Sequence, residues 1–300
     1  MGDDGGRETA LSGDFFRGLC DNVFWCNDSP RENSAFRHGD VVFCKIDEVW
    51  RFFRALRRTR RRVVLVTGEG DKPVDQALWN TRPPQVAFWW GTNMEIEAKG
   101  ARGLPLGLGN ASGRKTIRLG EISAARACAP ARDRSLYANF SAHSNRTLRG
   151  ELLRWLDENP RSWITRGRYD EKSGHREYIS ELVRHRFVLC PPGNGEDTHR
   201  FWEALYAGAF PVIRCSTSMR HFSAAPALAL ADLREVSETK LAEFARQNYG
   251  DPASCGILRP DYWREGIARD REAAKSLGRV GPREWMAGWW REFRRIARRS

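Results

Sequence analysis

Three hundred residues, 41% hydrophobic and 29% charged, describe a globular chain long enough for two domains of ordinary size or one large one. Fifty Lys and Arg against 38 Asp and Glu leave a formal charge of +12, which favours anionic partners: nucleic acid, acidic lipid headgroups or phosphate-bearing small molecules. Seven scattered cysteines, odd in number and without a CxxC pair, exclude a disulfide framework and a thiolate zinc site.

The opening "MGDDGGRETALSGD" lacks the apolar core of a signal peptide, and no run approaches 18 apolar residues, so the expected compartment is the cytoplasm. From there, short strand-like apolar runs alternate with longer helical patterns, which predicts parallel α/β units. Residues 40–45 (DVVFCK) read as a strand, "VWRFFRALRRTRR" as a helix and 63–68 (VVLVTG) as a strand. Two further apolar runs are 86–90 (VAFWW) and 103–109 (GLPLGLG), each ending in a polar or Gly-rich loop of the kind where open α/β sheets build sites. Residues 111–134 read as a linker. The second half restarts with a strand at 135–140 (SLYANF), then a loop and a helix closed by Pro160. Strands follow at 162–167 and in "FVLCP" and "FPVIRC", with helices in "YISELVRHR" and "DTHRFWEALYAG". After "ALALADL", a further strand, a helix capped by Ser237 runs to Gly250.

This pattern predicts two Rossmann-like domains: an N-terminal one over 1–132 and a C-terminal one over 133–272. A basic amphipathic helix over 273–300 follows. It has apolar residues at 285, 286, 289, 290, 293, 296 and 297, with six arginines between or beside them. Such a helix suits an anionic membrane surface, and it equally suits docking back onto the N-terminal domain.

The stretch "FVLCPPGNGEDTHRFWEALYAGAFPVI" (187–213) carries the chemistry. Pro191 and Pro192 end a strand and force a turn. Gly193, Asn194 and Gly195 allow backbone N–H groups to approach a ligand closely, and Asp197 or Thr198 is placed to cap the next helix. A Gly-rich loop opening a helix is an anion cradle. It is not a P-loop, because the GxxxxGK[ST] pattern is missing. Arg200 and Glu203 instead share one helix face. Arg200 is placed to neutralise phosphate oxygens, and Glu203 to accept from a ribose diol.

This block resembles the C-terminal signature of exostosin-like glycosyltransferases, with the arginine, "EAL.AG" and closing "PV" in step. "VVLVTGEGDKPVD", "FWWGTN", "LPLGLGN" and "LYANFSAHSNRTLR" extend the likeness upstream, over about residues 40–235. The resemblance implies two Rossmann-like domains facing across a cleft (the GT-B architecture) and a metal-independent, inverting transfer. The nucleotide-sugar is then a substrate held by the C-terminal half, and no cofactor or metal is expected. By matching position, Glu203 binds the ribose, Arg200 the diphosphate, and Gly193, Asn194 and Gly195 line the phosphate turn. Arg146 is a second phosphate candidate. His199 either reaches the leaving phosphate or packs on its helix.

Inversion needs a general base on the acceptor side. Glu69 and Asp71 in "TGEGD" (67–71) stand just past a strand and are the candidates, with Asp28 next. The expected activity is transfer of a sugar from a nucleotide-diphosphate donor, a UDP-sugar by resemblance, to a hydroxyl of a glycan, polyol or lipid-linked acceptor. The competing readings are a nucleic-acid-binding protein, suggested by "RALRRTRRR" (54–62), and a non-catalytic nucleotide-sugar-binding relative.

Overall fold

A computed structural model describes residues 9–25, 36–113, 116–129, 131–167 and 174–286. Two compact units emerge. The first unit is Phe16–Leu104 with the chain from Trp263 onward; the second is the chain up to Phe15 with Pro105–Tyr262. These divisions, at 15/16, 104/105 and 262/263, differ from the contiguous boundaries drawn on the sequence. In chain order the helices of the described residues are α1 (Gly13–Gly18), α2 (Val49–Leu56), α3 (Gln76–Trp79), α4 (Leu119–Ala127) and α5 (Arg146–Glu158). They continue with α6 (Gly174–Arg184), α7 (His199–Tyr206), α8 (Thr217–Arg220), α9 (Glu238–Gln247) and α10 (Pro260–Ser276).

The first unit holds a parallel sheet of β1 (Asn22–Phe24), β2 (Val41–Lys45), β3 (Val63–Gly68), β4 (Val86–Gly91) and β5 (Ala101–Gly103), in the order β1-β2-β3-β4-β5. With right-handed crossovers a sequential order puts every connection on one face, so the other face needs its own cover. The adjacent residues Trp89 and Trp90 of β4 point to opposite faces. Trp89 meets Phe53 of α2 edge-on at 5.4 Å and stacks on Trp79 of α3 at 6.0 Å. Trp90 lies 6.0 Å from Trp263 of α10 and donates from Nε1 to Asp270 at 3.0 Å. Thus α10, a helix the sequence reading did not mark, covers the second face.

The basic run 54–62 is shorter as a helix than expected, because α2 ends at Leu56. Four of its six arginines are engaged by backbone carbonyls. Arg57 donates to Thr81 at 3.0 Å, Arg60 to Val280 at 2.7 Å, Arg61 to Phe36 at 2.8 Å and Arg62 to Pro84 at 2.5 Å. The indole of Trp285 donates to the Arg57 carbonyl at 2.8 Å, so the chain after α10 is tied to this unit. The rest of the C-terminal amphipathic segment, 287–300, lies outside the described residues. Among the described residues no helix is long and apolar enough to cross a membrane.

The second unit holds β6 (Arg134–Ala138), β7 (Ile164–Arg166), β8 (His185–Leu189), β9 (Phe210–Arg214) and β10 (Leu228–Leu230). All pair in parallel, in the order β10-β9-β8-β6-β7. The chain leaves β6 to one side for β7, then returns across it to β8. The order therefore reverses between β6 and β8, and a crevice opens there at the carboxyl ends of the strands.

Two expectations are corrected here. Residues 111–134 are not a plain linker: α4 lies within them and packs against α6 and α7. Its start is fixed by Glu121, whose side chain accepts from the Arg118 N–H at 2.8 Å. Only Ile122 of this helix is buried, so its sequence carries almost no periodic signal. The run 103–109 contributes only Gly103 to a strand, the end of β5. Pro105 cannot donate to a ladder, and Gly107 takes φ +66° with the Leu11 carbonyl pressed against it.

Candidate functional site

The loops after β6 and β8 meet at the reversal point of the second unit. After Cys190, whose N–H still bonds Val212 at 2.8 Å, the chain enters Pro191–Pro192 and the ladder stops. The freed proline carbonyls find a partner in Arg149 of α5, which is only 6% exposed. Its guanidinium donates to the carbonyls of Pro192 at 2.8 Å, Pro191 at 2.9 Å and Ser141 at 3.2 Å, and to Ser144 Oγ at 2.6 Å. Burial, with the nearby Arg200 charge, pushes its pKa down to about 10. Asn145 caps α5 through Leu148 N at 3.1 Å and donates to the Gly193 carbonyl at 3.1 Å. A Cβ on Gly193 would stand 3.1 Å from Arg149 Nη2, so the turn is shaped around this arginine. Sequence reading singled out Arg146; the residue that braces the loop is Arg149, one turn on. Its signal was an arginine on the apolar side of an amphipathic helix.

Arg146 is exposed at the first position of α5, and Arg200 is half-buried in the first turn of α7. Neither helix has an acid in its first turn. Both therefore place a cation where the helix dipole favours an anion, a local cost of about 0.3–1 kcal/mol each. Arg200 Nε is buried without a hydrogen-bond partner among the described residues. Burial opposes the Arg200 charge, yet Tyr178, Glu203 and Cys190 around it raise its pKa above the usual arginine value. Glu203 accepts from the hydroxyl of Tyr178 at 2.8 Å. Burial and the Glu203 charge raise the Tyr178 pKa well above the ordinary range, so the phenol remains a donor. Burial likewise pushes the Cys190 thiol up to about 12, which makes it inert.

Gly193 and Gly195 close the turn with an N–H to carbonyl bond of 2.9 Å, and Asn194 stands exposed at its tip. The capping expectation is corrected. Thr198 is the N-cap of α7 but makes no side-chain cap bond. Asp197 is 3% exposed; its carboxylate accepts from Leu106 N at 2.7 Å and from Trp202 Nε1 at 2.8 Å. Burial pushes its pKa up to about 7. His199 is an exposed helix residue whose Nδ1 donates to the Gly107 carbonyl at 2.8 Å. Together Asp197 and His199 hold the 105–108 segment on the start of α7.

In the first unit, Glu69 and Asp71 follow β3 at its carboxyl end, half-buried and exposed respectively. Glu69 has φ 59° and Asn93, just past β4, has φ 50°; among the described residues these are the non-glycine positions with left-handed backbone. The last β3–β4 pair is Thr67 with Gly91, so Glu69 and Asn93 stand two residues beyond it on neighbouring strands. A left-handed glutamate costs about 1 kcal/mol, and such positions cluster at functional sites. Gly70 sits so close to Ile46 that a Cβ would approach its Cγ2 at 2.7 Å. Thr92, just past the end of β4, is 5% exposed, and its hydroxyl has no partner among the described residues. Asn93 and Thr92 escaped the sequence reading, since only their backbone and burial mark them. Asp28 lies outside the described residues. Among those residues no three His, Cys, Asp or Glu side chains are grouped to hold a metal ion.

No family model and no curated protein matches this chain. Among solved structures it is similar to an α,α-trehalose 6-phosphate synthase from Burkholderia multivorans, at 8% identity and a TM-score of 0.44, over 81% of this chain and 73% of that one. A UDP-GlcNAc 2-epimerase from Methanocaldococcus jannaschii matches at 10% identity and a TM-score of 0.33, over 76% of each chain. AviGT4, a glycosyltransferase involved in avilamycin A biosynthesis, matches at 11% identity and a TM-score of 0.32, over 77% of this chain and 85% of that one. With TM-scores below 0.5 these likenesses carry no weight for function, and the two five-stranded parallel α/β units stand on their own strand pairing.

Proposed function

We propose that the chain is a glycosyltransferase of the GT-B, exostosin-like kind. It takes a nucleotide-diphosphate sugar, a UDP-sugar by resemblance, in the second unit and passes the sugar with inversion to a hydroxyl of a glycan, polyol or lipid-linked acceptor. The observation that carries this reading is the pair of arginines, Arg146 and Arg200, in the acid-free first turns of α5 and α7 where the strand order reverses. Two cations against two helix dipoles make sense when an anion sits between them.

In this reading Arg200, Arg146 and the N–H groups of Gly193, Asn194 and Gly195 bind the diphosphate. His199, held by its Nδ1–H on the Gly107 carbonyl, donates from Nε2 to the leaving phosphate when its ring carries both protons. Glu203, steadied by Tyr178, accepts from the ribose diol. Glu69 is the preferred base over Asp71, because its left-handed backbone is a local cost that a plain turn does not require. The base removes the proton of the acceptor hydroxyl as that oxygen bonds to the anomeric carbon. The bond from that carbon to the diphosphate oxygen breaks on the opposite face, and the arginines neutralise the departing charge.

The test is release of nucleoside diphosphate from a panel of nucleotide-sugars, with and without polyol and oligosaccharide acceptors. Glu69→Gln is expected to lower kcat about a hundredfold or more while leaving donor binding intact. Donor binding without any turnover in the wild type would support the non-catalytic relative instead.

A further inference from the structure

The second unit has another cavity, at the amino ends of its strands and therefore opposite the crevice described above. It measures about 480 Å³, and its lining includes Arg126, Arg132, Arg186, Phe210, Tyr249 and Asp251. Arg132 precedes β6, Arg186 is the second residue of β8, and Phe210 begins β9.

Most of this wall is already satisfied. Arg132 donates to the Leu182 carbonyl at 3.2 Å and also to the carbonyls of His185 and Ala207, which closes the ends of α6 and α7. Arg126 pairs with Asp251 and reaches the Tyr206 carbonyl at 3.5 Å. Gly208, at φ +78°, lets the wall close: a Cβ there would stand 2.7 Å from both Arg132 Nη2 and Asp251 Oδ1. These contacts cancel the negative ends of the helices and the one carboxylate, and they fix the wall in place.

Two side chains of the lining have no such structural task. Arg186 is exposed on β8, a strand with a neighbour on each side, where every other residue is buried. No hydrogen bond or ion pair engages its guanidinium among the described residues. Tyr249 is 91% exposed, the most open large hydrophobic side chain among the described residues. A hydrophobic ring held in water beside an unpaired cation and a rigid polar wall has the makings of a recognition surface.

We propose that this cavity binds a small ring-bearing oxyanion, with its phosphate or carboxylate on the Arg186 fork and its ring against Tyr249. The residual charge of one guanidinium sets the anionic group at one. The volume exceeds what a lone phosphate fills. This site is independent of the nucleotide-sugar reading, since it shares no residue with the carboxyl-edge crevice.

The experiment is calorimetric titration of the full-length protein with ribose 5-phosphate, glucuronate, inorganic phosphate and glucose. The two ring-bearing anions separate phosphate from carboxylate as the preferred group. At least one of them is expected to bind saturably, about fivefold or more tighter than inorganic phosphate, with glucose silent. Arg186→Ala, an exposed change that leaves the fold intact, is expected to weaken that binding about tenfold or more. Tyr249→Ala should bring the ring-bearing anion down to the level of phosphate alone. Absence of saturable binding by both ring-bearing anions would overturn the proposal. So would binding that survives Arg186→Ala and disappears with Glu203→Ala, which belongs to the other edge. Equal affinity for phosphate and the ring-bearing anions, indifferent to Tyr249→Ala, would remove the ring from the site and overturn it as well.

Discussion

The two sheets have the same number of strands and the same parallel pairing, yet they differ in strand order. In the first unit the strands follow chain order, β1 to β5, and the sheet runs without a reversal. In the second the order turns between β6 and β8, and two helix starts converge on the gap. The polar residues follow this difference. Arg57, Arg60, Arg61 and Arg62 of the first unit are absorbed by backbone carbonyls, so most of a strongly basic run knits loops together. In the second unit Arg149 does the same for the proline turn, while Arg146 and Arg200 stand in the acid-free first turns of α5 and α7. Charge count alone cannot separate these cases; the position of each cation relative to carbonyls and helix ends does.

The comparison can be broken most forcefully at Arg149. Arg149→Leu leaves several buried carbonyls unpaired and should cost about 3–5 kcal/mol in urea unfolding. A loss below about 1 kcal/mol would mean the proline turn is held by something else. In the first unit the matching change is Asp270→Ala, which orphans the buried Trp90 indole N–H and should cost about 2–3 kcal/mol by the same measurement.

Asp197 sharpens the contrast through pH. Its folded pKa of about 7 lies above the ordinary aspartate value near 4, so the folded state holds a proton that the unfolded state has lost. Its contribution to stability is present below about pH 4 and is lost as pH rises to about 7, a change of roughly 1–3 kcal/mol. Asp197→Asn should flatten that part of the stability–pH curve; an unchanged slope would show that the carboxylate is ionised throughout. The smallest expected effect is at Tyr178. Tyr178→Phe should weaken nucleoside diphosphate binding about five- to tenfold, about 1 kcal/mol, with unfolding stability nearly unchanged. A stability loss with unchanged affinity would make the Tyr178–Glu203 bond structural.

Much of this was legible because periodicity and turn chemistry agree. "VVLVTG" is β3 residue for residue, and Ser237 caps α9 as its position foretold, accepting from Lys240 N at 3.3 Å. Gly208 ends α7 with a left-handed turn. What escaped shares a different property: its signal lies in long-range packing. Helix α4 buries Ile122 alone, and α10 belongs with β4 rather than with the strands that precede it in the chain. Arg149 could be seen as an arginine on an amphipathic helix, but two of its partners are the proline carbonyls more than 40 residues away. Asp197 has the look of a cap, and only burial reveals that it anchors Leu106 and Trp202. Asn93 is a residue type that tolerates left-handed backbone, but the left-handed backbone of Glu69 does not follow from its residue type.

The most direct test of the central claim is a calorimetric titration of UDP, GDP, CDP and ADP into wild type, Arg200→Ala and Glu203→Ala, each with and without EDTA. The account predicts saturable binding of one diphosphate by the wild type, unchanged by EDTA, and weakened at least tenfold in both variants. No binding of any diphosphate by the folded wild type, or equal binding by all three proteins, would contradict it.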